Sequence, residues 1–280
     1  MTPEEARAER LADAATFEQD EVVACYGARP PYAPALLEFL PTLATGRTRA
    51  LDIGCGPGKI TGALADHFAE VVALDPSPPM IEAGKSADAG RHDNIVWVEG
   101  RAEAYETAAA FDLVTAGSSI HWTDPAALFP KLARWTGLLA LLNDNPTFPA
   151  PAPPCGHDAW VDFLTLWLER TGRQAPPAWR TPNPDAWSLL GDHGAWIDII
   201  GRRRFAYTHR QSVEDFVISC HSRPSWNRRR MGAEAVAGFD AALDEMMRPF
   251  ATDGVLELDV VSELTWGVPR RTPLPGSTSD

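Results

Sequence analysis

ALDIGCGPGK, residues 50–59, is an apolar run that meets three glycines at alternate positions and then opens a helical pattern. This succession predicts a β-strand, a tight turn and an α-helix. Gly54, Gly56 and Gly58 have no Cβ, so they can adopt φ > 0 and let a ligand lie against bare backbone near the helix N-terminus. The stretch therefore predicts a nucleotide-binding junction.

Two common nucleotide motifs do not fit this spacing. The dinucleotide fingerprint G-x-G-x-x-G needs its third glycine where Lys59 stands. The phosphate loop G-x-x-x-x-G-K-[ST] fails because Ile53 occupies the place of the first glycine and Ile60 follows the lysine. A NAD-dependent oxidoreductase is therefore disfavoured, and so is an ATP or GTP site.

Residues 51–58 match hydrophobic-Asp-hydrophobic-Gly-x-Gly-x-Gly at every defined position. This pattern resembles the first motif of the class I S-adenosylmethionine (SAM)-dependent methyltransferases. The alternation of strands and helices predicts an α/β doubly wound sheet. The resemblance implies a Rossmann-like sheet of seven strands, the last one antiparallel, with a helical substrate-cap insertion.

An acid follows the second predicted strand. Asp75 lies about 20 residues beyond the glycine loop, where a carboxylate reaches the ribose hydroxyls of a nucleoside. The resemblance places Met80 against the adenine, although helix packing explains this methionine equally well. In the family a Gly-Asp-Ala-like turn binds the adenine, but here Arg101 stands where Asp is common. Either Glu103 supplies the missing acceptor, or the contact comes from the backbone of Ala102 alone.

The segment 26–32 resembles the Tyr-x-x-x-Arg-Pro-x-Tyr segment that helps cover SAM in small-molecule methyltransferases, with one residue fewer between the first tyrosine and the arginine. Packing of its aromatic rings against prolines is the alternative. The predicted cofactor-binding residues are Tyr26, Arg29, Asp52, Gly54, Cys55, Gly56, Gly58, Asp75, Pro76, Met80, Arg101, Ala102, Glu103, Gly117 and Ser118.

The fourth predicted strand leads into a small-residue turn followed by His121-Trp122. This feature is common in enzymes resembling the trans-aconitate and menaquinone-type methyltransferases. Histidine titrates near neutrality, so His121 is a candidate base, with packing as the alternative. His221 and Asp144 are further catalytic candidates. The predicted substrate-binding residues are His121, Trp122, Trp160 and Trp167, although tryptophans at helical spacing also fit a core.

Four segments are expected along the chain: an N-terminal helical lid (1–48), a SAM-binding Rossmann-like core (49–145), an inserted substrate cap (146–201) and the C-terminal part of the core sheet with a long helix (202–280). Strands are predicted at 70–74, 95–99, 111–116, 138–142, 203–209 and 256–266, besides the strand before the glycines. Helices are predicted at 2–14, 34–40, 60–68, 125–135, 159–171, 187–190, 213–220 and 233–250, a linker at 145–154 and a frayed tail at 273–280.

A formal net charge of −13 and a pI near 5.0 argue against general affinity for nucleic acid phosphates. The four cysteines are far apart, which predicts neither a metal site nor a disulfide framework. No apolar run approaches the roughly 20 residues of a membrane span. We expect a soluble, cytoplasmic monomer or homodimer with a small-molecule substrate.

These patterns predict a SAM-dependent methyltransferase that moves a methyl group to N, O or C of a small metabolite, with secondary metabolism as a candidate setting. S-adenosylhomocysteine (SAH) is the product expected from the cofactor. Two alternatives share the cofactor motifs: a SAM-binding enzyme that catalyses a reaction such as cyclisation, and a non-catalytic partner that binds SAM.

Overall fold

The computed structural model describes residues 11–144, 154–175, 179–180 and 191–275. The chain divides into two compact units. The first unit draws on Met1–Pro30, Asn145–Trp187 and Ala206–Val261, and the second on Pro31–Asp144, Ser188–Phe205 and Ser262–Asp280. Each unit thus gathers several separate stretches, whereas the four segments expected from the sequence follow chain order. Those segment boundaries stay predictions.

The described residues form one seven-stranded sheet with the order β3-β2-β1-β4-β5-β7-β6. Neighbours among β1 to β5 pair in parallel, and β7 runs antiparallel to β5. This confirms the predicted doubly wound sheet and its antiparallel last strand. The strands are β1 Arg49–Ile53, β2 Glu70–Asp75, β3 Ile95–Glu99, β4 Leu113–Gly117, β5 Leu139–Asp144, β6 Ile197–Ser212 and β7 Val255–Pro269.

Helices precede the first strand and follow most of the others along the chain. Their bounds are α1 Asp20–Tyr26, α2 Pro34–Phe39, α3 Thr61–Ala65, α4 Pro78–Asp88, α5 Pro125–Trp135, α6 His157–Arg170, α7 Val213–Cys220, α8 Arg228–Met231 and α9 Ala233–Met247. Short 3-10 turns lie at Ala15–Glu18, Leu40–Leu43, Ile120–Trp122, Gly191–Trp196, Pro224–Trp226 and Arg248–Phe250.

Two predicted helix starts are confirmed by their caps. The side chain of Asp124 accepts a hydrogen bond from the Ala126 N–H, and Ser212 accepts one from the Asp215 N–H. Such caps satisfy N–H groups that a helix leaves unpaired at its start. Both helices begin where the polar residue precedes an apolar run.

Several predicted boundaries were wrong. The helix after the glycines covers only Thr61–Ala65, and the long C-terminal helix ends at Met247 before a 3-10 turn. Strand β6 extends beyond the predicted 203–209 on both sides. The helix start at Thr2, the linker residues 145–153, the helix at 187–190 and the tail residues 276–280 lie outside the described part of the chain.

The second unit packs its central strands against α5. Leu128, Phe129 and Leu132 on this helix are fully buried against strand residues that include Leu51 and Leu139. Burial of such a side chain contributes about 1.5 to 3 kcal/mol. This apolar contact fixes the positions of the strand ends that carry the glycine loop and the turn after β4.

The first unit has its own core around Phe239 on α9. The ring of Trp226 stacks on Phe239 with centroids 5.4 Å apart, and Trp167 meets the same ring edge-on at 5.5 Å. Phe239 and Leu243 are fully buried. Helices α6 and α9 are therefore joined by aromatic packing within this unit.

Asp52 is a buried acid in the middle of the sheet. Its Oδ2 accepts from the Thr61 hydroxyl at 2.7 Å and its Oδ1 from the Thr115 hydroxyl at 2.8 Å. The carboxyl group thereby ties β1 to α3 and β4. Burial raises the pKa of Asp52 from its ordinary value of 3.8 to about 6, because desolvation outweighs these two hydrogen bonds.

A glycine in α4 makes room for a tryptophan below the glycine loop. A Cβ on Gly84 would lie 2.5 Å from Cη2 and from Cζ3 of Trp97. The same ring lies 2.8 Å from the position of a Cβ on Gly58. Trp97 therefore requires glycine at both positions, and it couples α4 to the loop.

Gly84→Ala should lower the free energy of unfolding by about 1 to 3 kcal/mol because the new methyl group overlaps the Trp97 ring. Helix propensity alone would give the opposite sign, a gain of about 1 kcal/mol. Urea unfolding measures the difference. Gly62→Ala is the matched control, since its Cβ would meet only His92 Cε1 at an ordinary 3.9 Å. A Gly84→Ala protein as stable as Gly62→Ala would contradict the packing described for Trp97.

Asp52→Asn should change how stability depends on pH. A folded-state pKa of about 6 against 3.8 means that the native protein holds this proton more tightly than the unfolded chain. The contribution of Asp52 to stability is present below pH 3.8 and is lost as the pH rises through about 6. The stability of the variant relative to wild type should therefore rise by about 2 to 3 kcal/mol between pH 4 and pH 7.

Urea midpoints at four pH values measure this trend. Thr115→Val removes a hydrogen bond to the ionised carboxylate, so its stability should fall with pH more steeply than that of wild type. A difference between Asp52→Asn and wild type that stays constant over the whole range would show that Asp52 ionises normally in the folded protein.

Candidate cofactor and acceptor site

The glycine loop between β1 and α3 follows a left-handed path. The φ angles of Gly54, Gly56 and Gly58 are 63°, 53° and 82°, a region that side chains rarely adopt. Two of the glycines are also required by contacts, because a Cβ on Gly54 would lie 2.4 Å from Ser119 Cβ and one on Gly58 would meet Trp97. Apart from its chain neighbours, no atom of the described residues lies within 4 Å of the Cβ position of Gly56, so this glycine offers open backbone there.

The end of β2 holds the loop in place. The carbonyl of Leu74 accepts hydrogen bonds from the N–H groups of Gly54 and Cys55 at 2.8 and 3.1 Å. Asp75 Oδ2 accepts from the Gly56 N–H at 2.8 Å, and its Oδ1 from the Ser77 N–H at 2.9 Å. The predicted ribose ligand is thus a buried carboxylate fixed against the loop by two backbone donors.

Three predicted cofactor residues have clear structural surroundings. Cys55 packs beside Ala73 and Ile81, and burial raises the pKa of its thiol well above the ordinary value, which keeps the thiol neutral. Met80 is buried in the first turn of α4, where its N–H bonds to the Ser77 hydroxyl at 3.3 Å. Pro76 is exposed.

The turn after β3 lies at the same edge of the sheet. The N–H of Gly100 donates to the carbonyl of Asp75 at 2.9 Å, Arg101 is exposed and Ala102 is buried. Glu103 Oε1 accepts from the Asp124 N–H at 2.8 Å, so one oxygen of this carboxylate already serves the start of α5. The choice between Glu103 and the backbone of Ala102 as the adenine contact stays a prediction.

A polar cluster lies at the ends of β4 and β5. Ser118 has a φ of 49°, and its hydroxyl lies 2.9 Å from Asp144 Oδ1 and 3.1 Å from Asn143 Oδ1. The hydroxyl of Tyr32 donates to Ser118 Oγ at 3.4 Å. The structure brings two predicted residues, Ser118 and Asp144, together. The sequence analysis missed Tyr32 and Asn143, although Tyr32 closes the segment that it quoted.

His121 occupies the 3-10 turn Ile120–Trp122 that follows this cluster. Its exposed ring lies 4.3 Å from that of Trp122, centroid to centroid. The next turn is fixed by His193, which is buried and whose Nε2 lies 3.1 Å from the Thr123 carbonyl. No local pattern in the sequence indicated His193. The catalytic role of His121 stays a prediction.

Arg29 and Tyr26 belong to the first unit. The guanidinium of Arg29 lies 4.3 Å from the centroid of the Tyr26 ring, a cation–π contact. Arg29 also donates to the hydroxyl and to the carbonyl of Ser222, both at 2.7 Å. None of these contacts involves a proline, and both the predicted contact of these residues with the cofactor and the alternative of aromatic packing against prolines stay predictions.

The remaining candidates are buried in the first unit. Nδ1 of His221 lies 2.8 Å from the Trp226 carbonyl and must donate to it, while Nε2 lies 2.6 Å from Asp240 Oδ1. Both nitrogens are therefore engaged within the core around Phe239. Trp160 and Trp167 are also buried there, and the described residues provide no hydrogen-bond partner for the Trp167 Nε1. Their predicted substrate contacts stay predictions.

Among the described residues, no three His, Cys, Asp or Glu side chains are grouped so that they could hold a metal ion. In the same part of the chain no helix combines the length and the apolar character needed to cross a membrane.

Comparisons with known proteins agree on one family. The model of the family described as "Methyltransferase domain" matches residues 50–138. A trans-aconitate 2-methyltransferase of Methylobacterium radiotolerans is 37% identical over 191 residues, which cover 62% of this chain and 68% of the relative. An uncharacterized methyltransferase of Mycobacterium bovis is 35% identical over 107 residues, 38% of this chain and 42% of the relative. The chain thus spans less than half the length of this second relative.

A solved structure supports the same conclusion for the fold. A candidate type II methyltransferase from Anaeromyxobacter dehalogenans is 25% identical, with a TM-score of 0.57 over 88% of this chain and 99% of that one. The matched region of the family model contains the glycine loop, Asp75 and the turn after β4. The extent of the likeness to the Methylobacterium radiotolerans relative places the protein in a family: it belongs to the class I SAM-dependent methyltransferases.

Proposed function

We propose that the protein transfers a methyl group from SAM to an N, O or C atom of a small metabolite. The observation that carries the proposal is the left-handed loop at Gly54, Gly56 and Gly58, with the Asp75 carboxylate bonded to the Gly56 N–H. This loop lies beside the boundary between β1 and β4, where the strand order reverses. Open α/β sheets bind ligands at such a position, outside the carboxyl ends of the strands.

The residues present fit the cofactor. The open backbone at Gly56 lets a nucleoside approach closely, and the Asp75 carboxylate, held by the N–H groups of Gly56 and Ser77, is of the chemical type that accepts from ribose hydroxyls. Met80 and Ala102 lie at the two neighbouring turns, where we propose that the adenine binds. When bound, SAM supplies a methyl group on a sulfonium, and the electron pair of the broken carbon–sulfur bond stays on the sulfur of SAH.

The chain's own contribution is mainly positional. Displacement at a methyl carbon gains most when nucleophile and leaving group are held in line, and an effective base is needed chiefly for acceptors that must lose a proton. The turn after β4 carries Ser118, His121 and Trp122, so we propose that the acceptor binds at this turn. The relative from Methylobacterium radiotolerans makes trans-aconitate one acceptor to test.

The direct test incubates the full chain with SAM labelled on its methyl group and a panel of amines, phenols, alcohols, sugars, indoles and carboxylic acids including trans-aconitate. The expected result is a mass gain of one methyl group on at least one class, with equimolar SAH. Conversion without methyl gain would identify a non-methylating reaction of the same fold. Binding of SAH with no conversion of SAM on any panel would favour a non-catalytic role.

Gly56→Ala should weaken the binding of SAH at least tenfold, because the methyl group would project from the backbone where the ligand lies. Isothermal titration calorimetry measures the affinity. Gly90→Ala is the matched control, since Gly90 has a φ of 76° and also no atom within 4 Å of its Cβ position. Both variants carry the same kind of backbone strain, about 1 to 2 kcal/mol.

Only Gly56→Ala should lose affinity for SAH, whereas both should lose stability by similar amounts. SAH affinity that stays at the wild-type value in both variants would contradict a cofactor site at this loop. Equal losses of affinity would show that general destabilisation, and not contact with the ligand, weakens binding.

A further inference from the structure

Ser118 adopts a backbone conformation that costs free energy. A φ of 49° is uncommon for a residue with a side chain, and such residues persist where their surroundings hold them. Here the N–H of Ser118 donates to the Leu142 carbonyl at 2.8 Å, and its hydroxyl reaches the carboxylate of Asp144. The turn is therefore fixed to the end of β5 from both backbone and side chain.

Tyr32 is built into the same cluster. Its neighbour Ala33 donates its N–H to the hydroxyl of Ser262 at 3.0 Å, and Ser262 is fully buried on β7. A Cβ on Gly117 would lie 2.8 Å from the Tyr32 hydroxyl oxygen. The absence of a side chain at 117 thus lets the tyrosine hydroxyl reach Ser118.

The hydrogen bonds of the cluster have a direction. A carboxylate can only accept, so the Ser118 hydroxyl donates to Asp144, and the Tyr32 hydroxyl donates to Ser118. Within the described part of the chain, the half-buried Asp144 carboxylate accepts a hydrogen bond from Ser118. One hydrogen bond leaves this group with capacity to accept from a ligand.

The cluster also lies beside the proposed cofactor site. Ser119, the next residue, donates its hydroxyl to the Ile53 carbonyl at 2.6 Å, and its Cβ faces Gly54. The polar cluster is thus one residue away from the contact between the β4 turn and the glycine loop. If the nucleoside of SAM lies toward Asp75, its methyl group lies on the opposite side of the loop, beside the turn after β4. The acceptor must then bind on that side.

We propose that Asp144 binds the N–H or O–H group of the methyl acceptor, and that Ser118 and Tyr32 are positioning residues for this carboxylate. The acceptor class is then small amines and alcohols, because a carboxylate acceptor would face a like charge. The inference rests on the proposed function, and it separates this chain from the relative named for trans-aconitate.

Asp144 also provides a destination for a proton. An ammonium group has no lone pair, so an amine acceptor first gives up one proton to water. As the lone pair of the neutral nitrogen or of the hydroxyl oxygen forms its bond to the methyl carbon, that atom loses a proton to an oxygen of Asp144. The carbon–sulfur electron pair remains on sulfur, and Asp144 returns the proton to water. Charge and atoms balance without a further reagent.

The test measures binding of matched probes to the full chain saturated with SAH. Phenethylamine, 2-phenylethanol and phenylacetate share one ring and differ in the polar group, as do tryptamine, tryptophol and indole-3-acetate, and trans-aconitate is added. In wild type, the amine or the alcohol of the phenyl set or of the indole set should bind at least tenfold more tightly than the carboxylate with the same ring. It should also bind at least tenfold more tightly than trans-aconitate. Asp144→Asn should reduce that affinity about tenfold, the loss expected for a hydrogen bond to a charged group.

The positioning residues have graded variants. Ser118→Gly keeps the left-handed turn and removes the hydroxyl, and Tyr32→Phe removes only its oxygen, so each should weaken amine or alcohol binding to the SAH-saturated protein about threefold. Asp93→Asn is the matched control, an exposed carboxylate just before β3 at the amino ends of the strands, and it should match wild type.

SAH titration without a probe separates the two proposals. Failure of wild type to bind SAH would remove the proposed function and this inference with it. If wild type binds SAH, three results would overturn this inference and leave the proposed function standing. The carboxylates could bind more tightly than the amines and alcohols, or all probes could bind equally or not at all. The third is that Asp144→Asn leaves the affinities for amines and alcohols unchanged.

Discussion

The hydrogen bonds from the end of β2 to the glycine loop are the constraint on which the site depends. Three glycines in left-handed conformations would be disordered without further contacts. Glycine loses more conformational entropy on ordering than any other residue, so the ordered turn needs interactions that offset this cost. The Leu74 carbonyl and the Asp75 carboxylate hold this turn through three backbone N–H groups. Because these acceptors lie on the strand next to β1, the loop is fixed as soon as the two strands pair in register.

The loop is also packed from both sides, and this explains why its glycines differ. Gly58 is bounded by the ring of Trp97 and Gly54 by Ser119, so their missing side chains serve packing within the protein. Gly56 has open space among the described residues, and we propose that the ligand lies there. The two aspartates near the ends of β1 and β2 also differ in their surroundings. Asp52 is bonded to the Thr61 and Thr115 hydroxyls in the interior, where desolvation raises its pKa, whereas Asp75 bonds to backbone N–H groups beside the open position.

The sequence predicted what is local. The glycine loop, the acid at the end of β2 and the caps at Asp124 and Ser212 lie within a few residues of the elements that they serve, so spacing alone indicated them. Spacing in the sequence could not predict contacts between residues that are far apart along the chain. Tyr32 reaches Ser118 across 86 positions, and Trp97 selects glycine at position 84 although helix propensity disfavours it there. His193 fixes the turn after His121 from 70 positions away. The helix after the loop is shorter than its pattern because apolar periodicity does not show where the chain leaves the helix.

This difference between local and distant contacts bears on function. A cofactor site formed by contiguous residues at the strand ends can be common to proteins that differ elsewhere, and the matched region of the family model contains it. The groups that we propose select the acceptor, such as Asp144 and Tyr32, come together through contacts that involve β5, β7 and a segment before β1. Residues 32 and 144 both lie outside the 50–138 match, so likeness over that region includes the glycine loop and Asp75 but not these two members of the polar cluster, to which we assign the choice of acceptor.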